Sequence, residues 1–274
     1  MPQIKLIALD IDGTLLDDRK QLPPENRDVL QEADRRGFLI SIASGRMISR
    51  IEAIEGLLGV DCVIIAYNGG KIWGRRSEGR PLIAHQQMDP EVARYLIRFS
   101  REHGYPLNFY HRDRLYAEAF PQRAELRDLY SRRTGAEYDY VEDLEREFSG
   151  VGPTKIILLA YPDECDRLLA RFQEELRGQI FVTKSEPEYL EIMAPGVNKG
   201  TALRLIGGHY GFRVEEVLAV GDAENDLDML LTAGVGVAMA NSPSAVKAAA
   251  RYVTEKSNNE AGAAEAIRRW AFEE

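Results

Sequence analysis

LIALDIDGTLLDD, residues 6–18, carries an unbroken apolar run straight into two acids spaced two apart, followed by glycine and threonine. An apolar run without alternation reads as a strand covered on both faces, the kind a parallel sheet holds. Burying charge at the end of such a strand costs heavily unless the charge is paired or holds a metal. Asp10 and Asp12 therefore need a cationic partner or a metal. On an extended segment, side chains at i and i+2 point the same way, so both carboxylates are expected to face one small volume.

Working outward, strands and helices alternate. PPENRDVLQEADRRG (23–37) opens on prolines, repeats its apolar residues at helical spacing and stops at Gly37. FLISIAS (38–44) is a second buried strand, Ser44 is expected to cap the helix MISRIEAIEGLL (47–58), and DCVIIAY (61–67) is a third strand ending at NGG. This rhythm implies parallel strands joined by right-handed crossovers.

After Asn68 the texture changes to a charged loop, GRRSEGRP (74–81), and then to helices mixed with paired strands. DPEVARYLIRFSREHG (89–104) has Asp89 as a cap and Pro90 at its first helical position, PLNFYHRDRLYAEAF (106–120) reads as a hairpin, and PQRAELRDLYSRRTG (121–135) as a helix. A strand and helix from Thr154 and two short strands, QIFVTKS and YLEIMA, complete an antiparallel sheet expected to carry its helices on one face. From PGVNKGTALRLIGGHYG (195–211) the strand-helix rhythm returns. The expected class is α/β: a doubly wound, Rossmann-like parallel sheet formed by residues 1–81 and 196–274, with an α+β domain, residues 82–195, inserted in it.

Of the 274 residues 45% are apolar, enough for a sizeable core, and the formal net charge of −9 argues against a general nucleic-acid surface. No apolar run reaches the roughly 18 residues of a membrane span, and Met1 to Lys5 lacks the features of a signal peptide, so a cytoplasmic protein is expected. Cys62 and Cys165 read as reduced core residues, and the four histidines show no zinc-ligand spacing.

Ligands of an open parallel sheet sit beyond the carboxyl ends of its strands. Four segments fall at such ends or open the next helix: Asp10 to Thr14, ASGR (43–46), NKG (198–200) and GDAENDLDM (221–229). If Asp222 joins Asp10 and Asp12, the cluster holds more negative charge than it can keep alone, and a hard dication such as Mg2+ resolves this. Ser44 and Gly45 offer a hydroxyl and backbone N–H groups to an anion, and Lys199 adds a point cation. Together these groups read as a phosphate site.

DIDGTL, SGR, the lysine of NKG and GDAENDLDM resemble the four motifs of the haloacid dehalogenase superfamily. The segment inserted after YNGG resembles the type IIB cap (C2B) of its Cof-like hydrolases, and the closing VTEKSNNEAGAAEAI is similar to their C-terminal stretch. The resemblance implies a Mg2+-dependent phosphatase of small phosphorylated metabolites such as sugar phosphates, flavin mononucleotide or pyridoxal phosphate. In it Asp10 is nucleophile and metal ligand, Asp12 is general acid and base and binds metal through its carbonyl, and Asp222 completes the metal site. Ile11, Thr14, Ser44, Gly45, Lys199 and Asn225 hold the phosphate, and Asp226 stands behind the metal ligands. The cap is expected to close over the leaving group, with Tyr110, His111 and Arg112 of the hairpin as candidate specificity residues.

Two other readings share parts of this pattern. A phosphomutase of the same superfamily uses the same aspartyl chemistry. A receiver-like signalling module also joins an acidic cluster to a phosphoryl-accepting aspartate and a lysine, but is about half this length and lacks the insertion. No membrane or nucleic-acid partner is expected, and the oligomeric state is open between monomer and dimer.

Overall fold

The structure, a computed structural model, describes residues 3–119 and 122–273. Met1, Pro2 and Glu274 of the expected outer domain lie outside the described residues, as do Phe120 at the end of the expected hairpin and Pro121 at the start of the expected helix. The chain forms two compact units, Met1–His85 with Asn198–Glu274, and Gln86–Val197.

The first unit begins β1 (Leu6–Leu9), α1 (Pro24–Arg35), β2 (Leu39–Ala43), α2 (Ile48–Leu58), β3 (Val63–Ala66), β4 (Lys71–Trp73) and β5 (Leu82–His85). The second unit follows with α3 (Pro90–His103), β6 (Leu107–His111), β7 (Arg114–Glu118), α4 (Ala124–Thr134), β8 (Asp139–Val141), α5 (Leu144–Glu147), β9 (Lys155–Leu159), α6 (Pro162–Glu175), β10 (Phe181–Glu186) and β11 (Tyr189–Met193). The first unit is completed by α7 (Lys199–Tyr210), β12 (Val217–Gly221), α8 (Leu227–Thr232), β13 (Val235–Ala238), α9 (Ser244–Ala249), β14 (Tyr252–Val253) and α10 (Gly262–Ile267).

The large sheet runs β14-β13-β12-β1-β2-β3-β4-β5. β1 lies at its centre, parallel to both neighbours, with Leu6 opposite Val217 on one side and Leu39 on the other. Burial on both faces explains the continuous apolar runs: all four residues of β1 are fully buried. Leu6 and Ala8 pack with Ala202, Leu203 and Ile206 of α7 and Met229 of α8.

Two features depart from the sequence expectation. The sheet is not parallel throughout, because β3, β4 and β5 pair antiparallel. The residues read as a charged loop are the connection of that hairpin, where Glu55, buried in α2, accepts from the guanidinium groups of Arg76 and Arg80. β5 thus belongs to the large sheet, and the second unit begins at Gln86 rather than at residue 82.

In the second unit the sheet runs β10-β11-β9-β6-β7-β8, antiparallel except for the β7–β8 pair. Phe109, Ile156, Leu158 and Leu190 on one face pack with Leu96 of α3 and Leu168 and Phe172 of α6. Helices are not confined to that face. Tyr110 and Tyr189, which alternation turns to the other side, meet Tyr130 of α4, the first through a hydroxyl-hydroxyl hydrogen bond and the second ring to ring at 5.0 Å. The same face holds a buried ion pair, Lys155–Glu191, at 3.2 Å.

Candidate active site

The carboxyl end of β1 delivers Asp10, whose N–H continues the ladder to the Val220 carbonyl at 3.0 Å. The chain then turns, with the Ile11 carbonyl accepting from the N–H groups of Leu15 and Leu16. Gly13 adopts φ +80°, and a Cβ there would lie 2.3 Å from Asp222 Oδ2, so only glycine lets this turn approach the end of β12 so closely. Asn241 donates to the Gly13 carbonyl at 2.9 Å and Asn258 to the Leu16 carbonyl at 3.1 Å, which ties the turn to the C-terminal part of the chain.

The carboxylates of Asp10, Asp222 and Asp226 each place an oxygen within 4.8 Å of the others. Lys199, fully buried at the first position of α7, donates from Nζ to Asp10 Oδ1 at 2.6 Å and to Asp226 Oδ1 at 2.5 Å. Asn198 caps that helix by accepting from the Thr201 N–H, which fixes where Lys199 begins. The other oxygen of Asp226 accepts from the N–H groups of Asp222 and Ala223 at 2.9 and 3.0 Å. Asp226 therefore orients both the lysine and the backbone at Asp222.

One ammonium among three carboxylates leaves an anionic excess. Burial pushes the Asp10 carboxyl well above the usual carboxylate range; Lys199 pulls it down, while Asp226, Asp222 and Asp12 push it further up. Burial and Asp226 raise Asp222 to about 7, against the opposing Thr14 hydroxyl and Lys199. Burial works against the charge on Lys199, but Asp10 and Asp226 outweigh it and hold the ammonium above its ordinary value. A cluster of hard oxygen donors with surplus negative charge suits a divalent cation of the Mg2+ type.

Asp12 stands apart from this cluster. The extended spacing predicts that its carboxylate shares one volume with that of Asp10, but β1 stops at Leu9 and Ile11 is already in the turn. Arg46 grips the Asp12 carboxylate with two bonds, Nε at 2.9 Å and Nη2 at 2.6 Å, and Lys20 Nζ adds a third at 2.9 Å. Burial alone would raise this carboxyl; the two cations outweigh it and hold Asp12 below the usual range. The compact carboxylate trio contains Asp226 where Asp12 was expected.

The other expected residues divide in the same way. Thr14 is fully buried and donates its hydroxyl to Asp222 Oδ1 at 3.0 Å, so it braces an acid. Ser44 does not cap a helix: α2 starts at Ile48 behind an extended Met47, and Ser44 Oγ accepts from the Arg46 N–H within a turn. Gly45 and Asn225 both adjoin the Asn68 side chain, Asn225 donating to its Oδ1 at 3.2 Å. In the second unit Tyr110, His111 and Arg112 do not lie together. Tyr110 is buried against Tyr130, His111 packs on Phe148 at 5.5 Å, and Arg112 lies exposed in the hairpin turn at φ 49°. Alternation along β6 accounts for the split.

Sequence reasoning passed over Arg46, Lys20, Asn68, Asn241 and Asn258. Arg46 stands inside the SGR motif and Asn68 in NGG, so the signal was present, but nothing local names the partner of either side chain.

The family model described as haloacid dehalogenase-like hydrolase matches residues 7–267. The chain is 30% identical over 276 residues to the 5-amino-6-(5-phospho-D-ribitylamino)uracil phosphatase YcsE of Bacillus subtilis (strain 168), which covers 98% of this chain and 96% of that protein. A haloacid dehalogenase-like hydrolase from Bacteroides thetaiotaomicron superposes with a TM-score of 0.84 at 29% identity, covering 97% of this chain and 99% of the other. A sugar phosphatase of HAD subclass IIB, BT4131, superposes with a TM-score of 0.83 over 97% of this chain and 98% of the other; at 24% identity that likeness is one of fold. The chain belongs to the haloacid dehalogenase-like hydrolases and is an enzyme of their phosphatase kind.

Proposed function

We propose that the protein hydrolyses phosphomonoesters of small metabolites through a phosphoryl group carried on Asp10, with Mg2+ as the cofactor. The observation that carries this reading is the carboxylate group of Asp10, Asp222 and Asp226, with buried Lys199 bridging Asp10 and Asp226, where the adjacent parallel strands β1 and β12 end. Asp10 and Asp222 would hold the cation, together with the backbone carbonyl of Asp12. Bound there, it supplies charge neutralisation for the carboxylates and for an incoming phosphate.

In the first step Asp10 attacks phosphorus and the bond to the leaving oxygen breaks, that oxygen taking a proton from Asp12. In the second, water attacks the phosphorus of the aspartyl phosphate, Asp12 takes its proton, and inorganic phosphate leaves with Asp10 regenerated. Lys199, Ser44, Asn225 and the backbone at Ile11 and Gly45 hold the phosphate oxygens, and Thr14 serves by bracing Asp222. An Asp12 gripped by Arg46 is ionised, and so cannot donate a proton. The incoming phosphate competes for the guanidinium and loosens that grip, so that Asp12 takes up a proton from solvent and can pass it to the leaving oxygen.

The four motif segments all lie in the first unit, so the chemistry is assigned to it and leaving-group selection to residues 86–197. The highly charged substrates of this class do not cross membranes unaided, which favours a cytoplasmic enzyme. Phosphate release from a panel of sugar phosphates, flavin mononucleotide, pyridoxal phosphate and 5-amino-6-(5-phospho-D-ribitylamino)uracil, with and without chelator, tests the reading. Turnover of at least one, lost in chelator, is expected. Formation of an isomeric sugar phosphate without phosphate release would favour a mutase, and no turnover of any would refute the proposal.

A further inference from the structure

The turn that closes β3, Tyr67 to Gly70, has no role in the chemistry above, yet it concentrates unusual backbone. Tyr67 and Asn68 are consecutive non-glycine residues in the left-handed region, both at φ 53°, and both are buried. Such conformations persist only where the surroundings over-determine them, and they cluster at functional sites.

Here the surroundings are the motif segments themselves. The Tyr67 N–H donates to the Arg46 carbonyl at 3.2 Å and the Asn68 N–H to the Ser44 carbonyl at 2.9 Å. The Asn68 side chain receives the Asn225 amide at 3.2 Å, and its amide atoms lie 3.2 and 3.3 Å from where a Cβ on Gly45 would stand. Gly69, at φ +109°, approaches the Asn198 carbonyl so closely that a Cβ would lie 2.6 Å from it, immediately before Lys199. One short turn thus touches the segments carrying Ser44, Gly45, Lys199 and Asn225. Asparagine tolerates the left-handed backbone better than most residues while still presenting an acceptor.

We propose that Asn68 is a positioning residue for phosphate: its side chain sets the Asn225 amide and the Gly45 backbone, and its own N–H sets Ser44, so that these groups converge on one anion. The proposal rests on the phosphatase reading, and its test separates the two. Asn68→Gly keeps the backbone conformation and deletes only the amide. Loss of one positioning hydrogen bond should raise the inhibition constant of inorganic phosphate and the KM for p-nitrophenyl phosphate about 5- to 10-fold. Asn225→Ala should raise both by at least as much, since it also removes an amide that holds phosphate, and the double variant should fall short of the product of the two single effects, because the Asn68–Asn225 bond is lost in each.

A melting temperature that falls while the inhibition constant stays at the wild-type value would show a merely structural role and overturn the proposal. So would full additivity of the two substitutions. Should Asn68→Gly not fold, Asn68→Asp keeps the shape and places a negative charge beside Gly45 and Asn225; it must weaken inorganic phosphate by more than about 10-fold, and an unchanged constant overturns the proposal. Failure of the underlying reading looks different: the wild-type protein would neither release phosphate nor bind it.

Discussion

Replacing Asp222 with asparagine should stabilise the metal-free protein while ending its activity. In the fold this carboxyl is raised from 3.8 to about 7, first by burial and then by Asp226. A raised carboxyl makes the folded state the tighter proton binder, so the penalty is absent well below pH 4, grows as pH rises, and is complete above about pH 7. Each tenfold change in proton affinity is worth about 1.4 kcal/mol, which puts the penalty at about 4 kcal/mol at pH 8 and about 1.5 kcal/mol at pH 5. The side chain is only part-buried, and solvent screening should leave about half of each figure. Asparagine keeps an oxygen to accept from Thr14 Oγ1 and carries no charge. Urea unfolding in chelator should therefore show Asp222→Asn more stable than wild type by about 2 kcal/mol at pH 8 and by less than about 1 kcal/mol at pH 5. Equal effects at the two pH values, or a loss of stability at pH 8, would refute the electrostatic account of the cluster.

Further expectations concern the cations. Lys199→Met leaves Asp10 and Asp226 without their buried partner and should cost about 3–5 kcal/mol in the metal-free protein, with added Mg2+ restoring part of the loss in the same unfolding assay. Arg46→Gln removes one of the two cations that hold Asp12 low. Asp12 contributes stability that is present above the ordinary carboxylate range and lost as pH falls through its lowered folded value, so the variant's deficit should appear at pH 7 and vanish near pH 2. Because the Arg46 and Asp12 side chains are 32% and 38% exposed, that deficit should stay below about 1 kcal/mol.

Much of the site was legible because its residues sit where strands end, and strand ends follow from where apolar runs stop. Asp10 follows the last fully buried residue of β1, and Asp222 follows β12, so hydrophobic patterning put each at a strand end; that the two strands are neighbours comes from the sheet pairing. Partnerships between charged side chains were not legible. Arg46 meets an acid 34 residues earlier, and no local spacing links the two. Asp226 is expected only behind the metal ligands, and the fold shows it gripping Lys199. β4 escaped notice because three residues, Lys71–Trp73, are too few to show a period, and their pairing partner lies beyond a charged turn. The separation of the hairpin trio has a reason the sequence contains: neighbours on a strand face opposite ways, so Tyr110 and His111 lie on different sides of β6.

The central claim is that phosphoryl transfer passes through the carboxylate of Asp10. Rapid acid quench of a single turnover, followed by borohydride reduction and peptide mapping, reads this directly, because an aspartyl phosphate is reduced to homoserine while a free carboxylate is not. The account predicts homoserine at position 10 in wild type, none in Asp10→Asn, and no turnover by that variant. Turnover with no reducible residue at position 10, or a homoserine at Asp12 or Asp222 instead, would contradict it.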